Sequence, residues 1–328
     1  MADIRDQLQF SHGPAWSNRL VLAPLTNLQS NADGTLSDDE INWLLPRAQG
    51  GFGMVMTAAA YTRGGRFIPG QLGVCEDVHL PGLEKLAAGI RKAGAVSAVQ
   101  INHGGIRTVP AAADEVVAPF DDPESGARAL TTGEVQQIIA DFASAAGLAE
   151  KAGFDGVEIH GAHSFLLCTF LDPKRNIRED NYGGSYANRT RIFYEVISAV
   201  REATGEDFQV GLRLSPERHG VDPAEVVQLT AELADTGELD YLDISLWDVR
   251  KHPEATPEAE QLISSYTALD LNKTALGVAG KIAGSADANW CLTQGADFAL
   301  IGRGGIFDYD FATKALADPN YLAPTPPL

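Results

Sequence analysis

Eight short apolar runs, each followed by a longer amphipathic stretch, constrain the fold of this 328-residue chain more than any other feature. The runs are RLVLA (19–23), FGMVMT (52–57), AVSAVQI (95–101), DGVEIH (155–160), FQVGLRL (208–214), LDYLDIS (239–245), TALGVA (274–279) and FALIG (298–302). Strands with one solvated face alternate apolar and polar residues, whereas these are nearly continuous in Val, Ile and Leu. Such strands require a parallel sheet covered on its outer face, joined by right-handed helical crossovers. Helices are expected at 37–50, 82–93, 132–152, 189–203, 222–236 and 285–294, with Ser37 and Ser285 as N-caps and Gly94, Gly153, Gly237 and Gly295 as stops.

Eight repeats favour closure into an α/β fold of the (β/α)8 TIM-barrel type, one domain over residues 1–328. An open, doubly wound sheet would carry a G-x-G-x-x-G turn after its first strand, and here that turn reads APLTN (23–27). The stretches 103–130 and 161–188 are expected to be long loops after the third and fourth strands, on the face where barrels build active sites.

Lys and Arg number 25 against 44 Asp and Glu, a net charge of −19, which disfavours a nucleic-acid or anionic-membrane partner held by clustered cations. Cys75, Cys168 and Cys291 match no paired metal spacing and no disulfide framework, so a reducing cytoplasm is the expected setting. The first residues, MADIRDQLQF, lack a signal-peptide core, and no apolar run approaches membrane-spanning length. The expected partner is a small molecule, and self-association is compatible with everything above.

Polar residues at the carboxyl ends of barrel strands are the catalytic candidates. The strands deliver in turn Pro24, Leu25 and Thr26; Ala58; Gln100; His160 and His163; Arg213; Trp247 in the next loop; Gly280; and Gly302 with Arg303. Barrels often hold phosphate with the loops after strands seven and eight, so Gly280, Gly302 and Arg303 suit a phosphate, or else they are turn glycines beside a surface arginine. Gln100 can pair with the edge of a flat heterocycle, and Arg213 can stabilise negative charge on it. The alternative for Arg213 is a buried ion pair with Glu158 or Asp243. His160 and His163 read as a zinc pair, a substrate clamp or two unrelated loop residues. No third ligand or H-E-x-x-H signature supports zinc, so no metal is expected, and two neutral imidazoles donating to a substrate oxygen is the sharper reading.

The stretch DGVEIHGAHSFLLCTFLDPKRNIREDNYGGSYANRTRIF (155–193) resembles the signature of the Old Yellow Enzyme family of flavin oxidoreductases, as do SNRLVLAPLT (17–26), TAAAYTRGGR (57–66), QINHGG (100–105), VGLRLSP (210–216) and ALIGRG (299–304). The resemblance implies noncovalent FMN, with NADH or NADPH as co-substrate. By position, Pro24, Leu25, Thr26, Ala58, Gln100, Arg213, Gly280, Gly302 and Arg303 match the family's flavin contacts, and His160 and His163 match the pair that binds the substrate's activating oxygen. Thr26, Phe165, Tyr61 and Trp247 are expected in the substrate pocket. Two departures stand out: the family's proton-donating tyrosine is Phe165 here, and Ile106 precedes Arg107 in an altered Q-x-x-H-A-G-R stretch.

The expected function is ping-pong hydride transfer from a reduced nicotinamide to α,β-unsaturated carbonyls, quinones or nitro compounds. The alternatives are a flavin-binding sensor with little turnover and a phosphate-binding lyase or aldolase in which Lys281 forms a Schiff base. With Phe165 unable to give a proton, Ser164, Tyr61 and Tyr182 are the candidate donors.

Overall fold

A computed structural model describes residues 2–113 and 115–324. Eight strands form where the apolar runs lie: β1 (Leu20–Leu22), β2 (Met54–Met56), β3 (Val96–Asn102), β4 (Gly156–Gly161), β5 (Gln209–Leu214), β6 (Tyr241–Ser245), β7 (Ala275–Ala279) and β8 (Phe298–Ile301). Each pairs in parallel with the next, and β8 returns to β1 with Leu20 opposite Ala299, which closes the (β/α)8 barrel.

Helices Asp38–Gln49, Leu80–Lys92, Thr132–Lys151, Tyr186–Ala203, Pro223–Asp235 and Ser285–Thr293 cover the outer face. Ser37 caps the first by accepting from the Glu40 N–H, beside three acidic residues that suit the positive helix end. Ser285 departs from expectation. Gly284 is the cap and Ser285 is the first helical residue, because its buried hydroxyl turns to the carbonyls of Asp318 and Ala315, 2.6 and 3.1 Å away. The stretch after β3 carries a short ladder, Val117–Ala118 with Arg128–Ala129, and that after β4 a short helix, Leu166–Phe170. No helix among the described residues is long and apolar enough to cross a membrane.

Side chains alternate along a strand, so every second residue points into the barrel. At the amino end this interior is filled by rings. Trp16, fully buried, sits edge-on to Phe298 and Tyr241 with centroids 4.9 and 5.5 Å away, and its indole N–H donates to Gln209 at 3.0 Å. Gly211 and Gly277 leave the space: a Cβ on either would lie 2.1 or 2.2 Å from the Tyr241 or Phe298 ring. Above the rings come smaller chains, Val21, Met54, Met56, Ala98 and Leu300. Replacing Trp16 by Ala should cost about 3–5 kcal/mol of stability, the range for deleting a large buried aromatic. Urea unfolding measures it, and a loss below about 1 kcal/mol would show that the indole is no plug.

Candidate active site

At the carboxyl end the inward positions turn polar. Strand register sets Gln100 beside Glu158, His160 beside Arg213, and Arg213 beside Asp243. The Gln100 amide N–H donates to Glu158 Oε1 at 2.7 Å. The Arg213 guanidinium lies with Nε 2.9 Å from Asp243 Oδ2, both side chains buried, and its Nη2 donates to Ser245 Oγ at 3.3 Å. The ion pair weighed from the sequence is therefore formed, with Asp243 as partner and Glu158 serving Gln100 instead. Ala58 is buried, Pro24 and Leu25 are half-buried, and Thr26 is exposed on the loop after β1.

His160 is 3 % exposed and its ring centroid lies 5.2 Å from that of His163. His163 Nε2 is 2.8 Å from Ser245 Oγ, and its backbone N–H donates to Ser215 Oγ at 3.0 Å. Phe165 packs between His160 and Phe67, with centroids 4.8 and 5.0 Å away. The hydroxyl of Ser164 lies 2.9 Å from His219 Nδ1. Ser215, Ser245 and His219 were missed from the sequence. Ser245 ends β6 and Ser215 directly follows β5, so both obey the same rim rule as the residues chosen, whereas nothing in the local pattern marks His219.

Two expected pocket residues sit apart from this group. The Tyr61 hydroxyl donates to the Asp33 carbonyl at 3.1 Å and lies 3.5 Å from His79 Nε2. Trp247 is 68 % exposed, its indole under the Arg218 guanidinium at 5.6 Å. Tyr182, weighed as a proton donor, is buried with its hydroxyl donating to Glu195 at 2.7 Å.

The mouth fits a planar polar ligand with an anionic tail. Arg213 Nε, Glu158 Oε2 and both polar side-chain atoms of Asn102 are buried without a hydrogen-bond partner, an unusual local density of unmet bonding. A Cβ on Gly302 would meet nothing nearer than Leu25 at 3.9 Å, so open space lies there, and the adjoining Arg303 is exposed, with no ion pair among the described residues. Gly280 has φ +153° and packs its Cα against the Trp247–Asp248 peptide, which excludes a side chain. Two cavities, of about 460 and 330 Å³, border Arg63 on the barrel flank. Neither is lined by the His160, Arg213 or Gln100 group.

Burial governs the charges. It holds His160 well below the ordinary imidazole value, helped by His163 and Arg213, and it takes His163 down to about 2, helped by Arg213 and His219. Both rings are neutral donors at physiological pH. Glu158 is pushed the other way, to about 8, by burial and by the charge of Asp243. Because the folded histidines resist protonation, acidification below about 6.5 loads protons on the unfolded chain first, and these two rings subtract stability there. Their ring ¹⁵N shifts should stay those of neutral imidazole from pH 8 to pH 5. A midpoint near 6.5 for either ring would refute the assignment.

Comparison with known proteins gives the site its context. The chain is 39 % identical over 331 residues to "Probable NADH-dependent flavin oxidoreductase YqiG" of Bacillus subtilis, covering 95 % of this chain and 84 % of that one. It is 33 % identical over 338 residues to the NADH:acrylate oxidoreductase of Vibrio harveyi, covering 97 % of this chain but only 33 % of that longer protein. Among solved structures, an old yellow enzyme homologue from Zymomonas mobilis superposes with a TM-score of 0.85 at 25 % identity, over 98 % of this chain and 95 % of that one. Morphinone reductase in complex with tetrahydroNAD gives 0.81 at 25 % identity, over 99 and 93 %. Residues 14–319 match the model of the NADH:flavin oxidoreductase / NADH oxidase family. The chain therefore belongs to that family, the Old Yellow Enzyme family, and is an FMN oxidoreductase with a nicotinamide co-substrate.

Proposed function

We propose that residues 1–328, as one FMN-binding barrel domain, reduce α,β-unsaturated carbonyls, quinones or nitro compounds at the expense of NADH or NADPH. The observation that carries this reading is the pair of neutral imidazoles, buried His160 and half-buried His163, set edge to face beside Arg213 at the barrel mouth. The names of two relatives, an NADH:acrylate and an NADH:fumarate oxidoreductase, support a conjugated alkene. The chemistry FMN supplies when bound is ping-pong hydride transfer, from the nicotinamide to the substrate that replaces it in the same seat.

In this reading Gln100 and Arg213 meet the edge of the flavin ring, while Pro24, Leu25, Thr26 and Ala58 line its slot. Gly280, Gly302 and Arg303 take the phosphate, where an open glycine admits close approach and a guanidinium adds charge-assisted bonds. His160 and His163 donate to the substrate oxygen on which negative charge grows. A well-placed donor of this kind is worth about 3 kcal/mol in the transition state. Phe165 forms an apolar wall, Thr26 an edge, and Tyr61 and Trp247 support the outer margin. Lys281 gives the lyase reading no support, since its exposed ammonium is paired with Asp248 at 3.0 Å rather than desolvated.

The purified protein should be yellow with one FMN per chain and should bleach anaerobically with NADH or NADPH. A flavin that neither nicotinamide reduces would favour the sensor. Arg303→Ala should weaken FMN binding about tenfold, the loss of roughly 1.5 kcal/mol in one charge-assisted contact. Phenols should give a long-wavelength charge-transfer band, diminished in His160→Ala and in His163→Ala. An undiminished band in both variants would place the clamp elsewhere.

A further inference from the structure

Hydride addition to an activated alkene makes one C–H bond at the β carbon and moves the π pair onto the oxygen-stabilised enolate. A proton must then reach the α carbon, and the ring packed against His160 at that point is Phe165, which has none to give. The hydroxyls of Tyr61 and Tyr182 are already donating, to Asp33 and to Glu195.

Ser164 stands between His163 and Phe165 in the chain. His163 and Ser164 both have φ 61°, and across the loop after β5 Arg218 and His219 have φ 62° and 55°. Left-handed backbone at two consecutive non-glycine residues is uncommon, and here it occurs twice in facing loops. The two strained pairs meet where Ser164 Oγ lies 2.9 Å from His219 Nδ1 and the His219 ring lies 5.7 Å from that of His163. Ser164 is half-buried beside the imidazoles, whereas His219 is exposed. The contact thus spans the distance from the site to solvent.

We propose that Ser164 and His219 deliver the proton that completes alkene reduction, an inference that rests on the function proposed above. Ser164 gives its O–H proton to the α carbon. His219 passes its Nδ1 proton to Ser164 Oγ as that O–H bond breaks, and its Nε2 takes a replacement from solvent, so the ring ends as neutral as it began. Arg107, Arg218 and His163 face the His219 ring, with Glu254 paired to Arg218, and partial burial of the ring, helped by the two guanidiniums, lowers its proton affinity. A neutral ring can both give and accept a proton, which suits a relay.

The test uses anaerobic holoenzyme reduced by nicotinamide and then mixed with 2-cyclohexen-1-one or with 1,4-benzoquinone, whose reduction needs no proton on carbon. Ser164→Gly removes the hydroxyl and suits the left-handed backbone, so the fold does not suffer. It should lower the enone rate relative to the quinone rate about 100-fold, the low end for loss of a general acid. Adding Phe165→Tyr should recover it. His219→Ala should lower the same ratio, and added imidazole should restore it, which a merely structural role would not allow. Parent-like ratios in both single variants, or no rescue by imidazole, overturn the relay while alkene reduction stands. A parent that reduces benzoquinone but not cyclohexenone overturns the alkene reading and the relay with it.

Discussion

Burying a guanidinium in the mouth of a barrel dictates much of what surrounds it. Arg213 cannot lose its proton, and an isolated buried charge costs several kcal/mol. Asp243 on the neighbouring strand answers with Oδ2 at 2.9 Å, yet neither Arg213 Nε nor that oxygen completes an aligned hydrogen bond. The charge is balanced while part of its bonding capacity stays free. Burial first, and then repulsion by the carboxylate already present on Asp243, raise the proton affinity of Glu158 well above the usual carboxylate range. The same field acts on the imidazoles. Burial first, and the positive charge of Arg213 in addition, disfavour a further cation, so His160 and His163 serve as neutral donors rather than as cations.

The barrel gives this cluster its room by tapering. Its amino end holds Trp16, Tyr241 and Phe298, and glycines at 211 and 277 are the condition for fitting those rings. Toward the carboxyl end the inward positions of β1, β2, β7 and β8 shrink to Ala23, Ala58, Ala279 and Gly302, across the mouth from the polar residues of β3 to β6. A closed parallel sheet has no edge at which to admit a ligand, so a binding site must lie along the axis. Large residues below and small ones above put it at the upper mouth, where the βα loops can reach.

Most of the architecture was legible in the sequence because parallel strands buried on both faces leave continuous apolar runs, and all eight were found. Helix starts were less legible. The helix expected from 189 begins at Tyr186 under a Ser185 cap, since the aromatic, alanine and asparagine at its start interrupt the apolar spacing while the cap needs only one hydroxyl. At the site, residues on strands were easier than residues on loops. Gln100, His160 and Arg213 follow from strand parity, which fixes direction. Trp247 does not, because direction beyond a strand end depends on turns: it has φ 65° and faces outward. Tyr61 lies on a separate two-residue strand, Ala60–Tyr61, that pairs with Asn102 and that the apolar runs did not mark, and its hydroxyl is drawn toward Asp33 and His79. His219 was invisible for the same reason as Trp247, its position set by a left-handed turn that brings it to a residue 55 positions away.

Phe165 shows how one substitution can be locally consistent and still redistribute chemistry. Its ring lies edge-on to Phe67 and tilted against His160, an apolar setting in which a hydroxyl would need a partner. The phenyl ring keeps water from His160 and so reinforces the neutrality that makes that imidazole a donor. Stabilising charge on oxygen and supplying a proton to carbon place opposite demands on surroundings, the first favouring exclusion of water and the second requiring a path to it. Here the wall beside His160 serves the first demand, and access to solvent lies one residue earlier, at the half-buried Ser164.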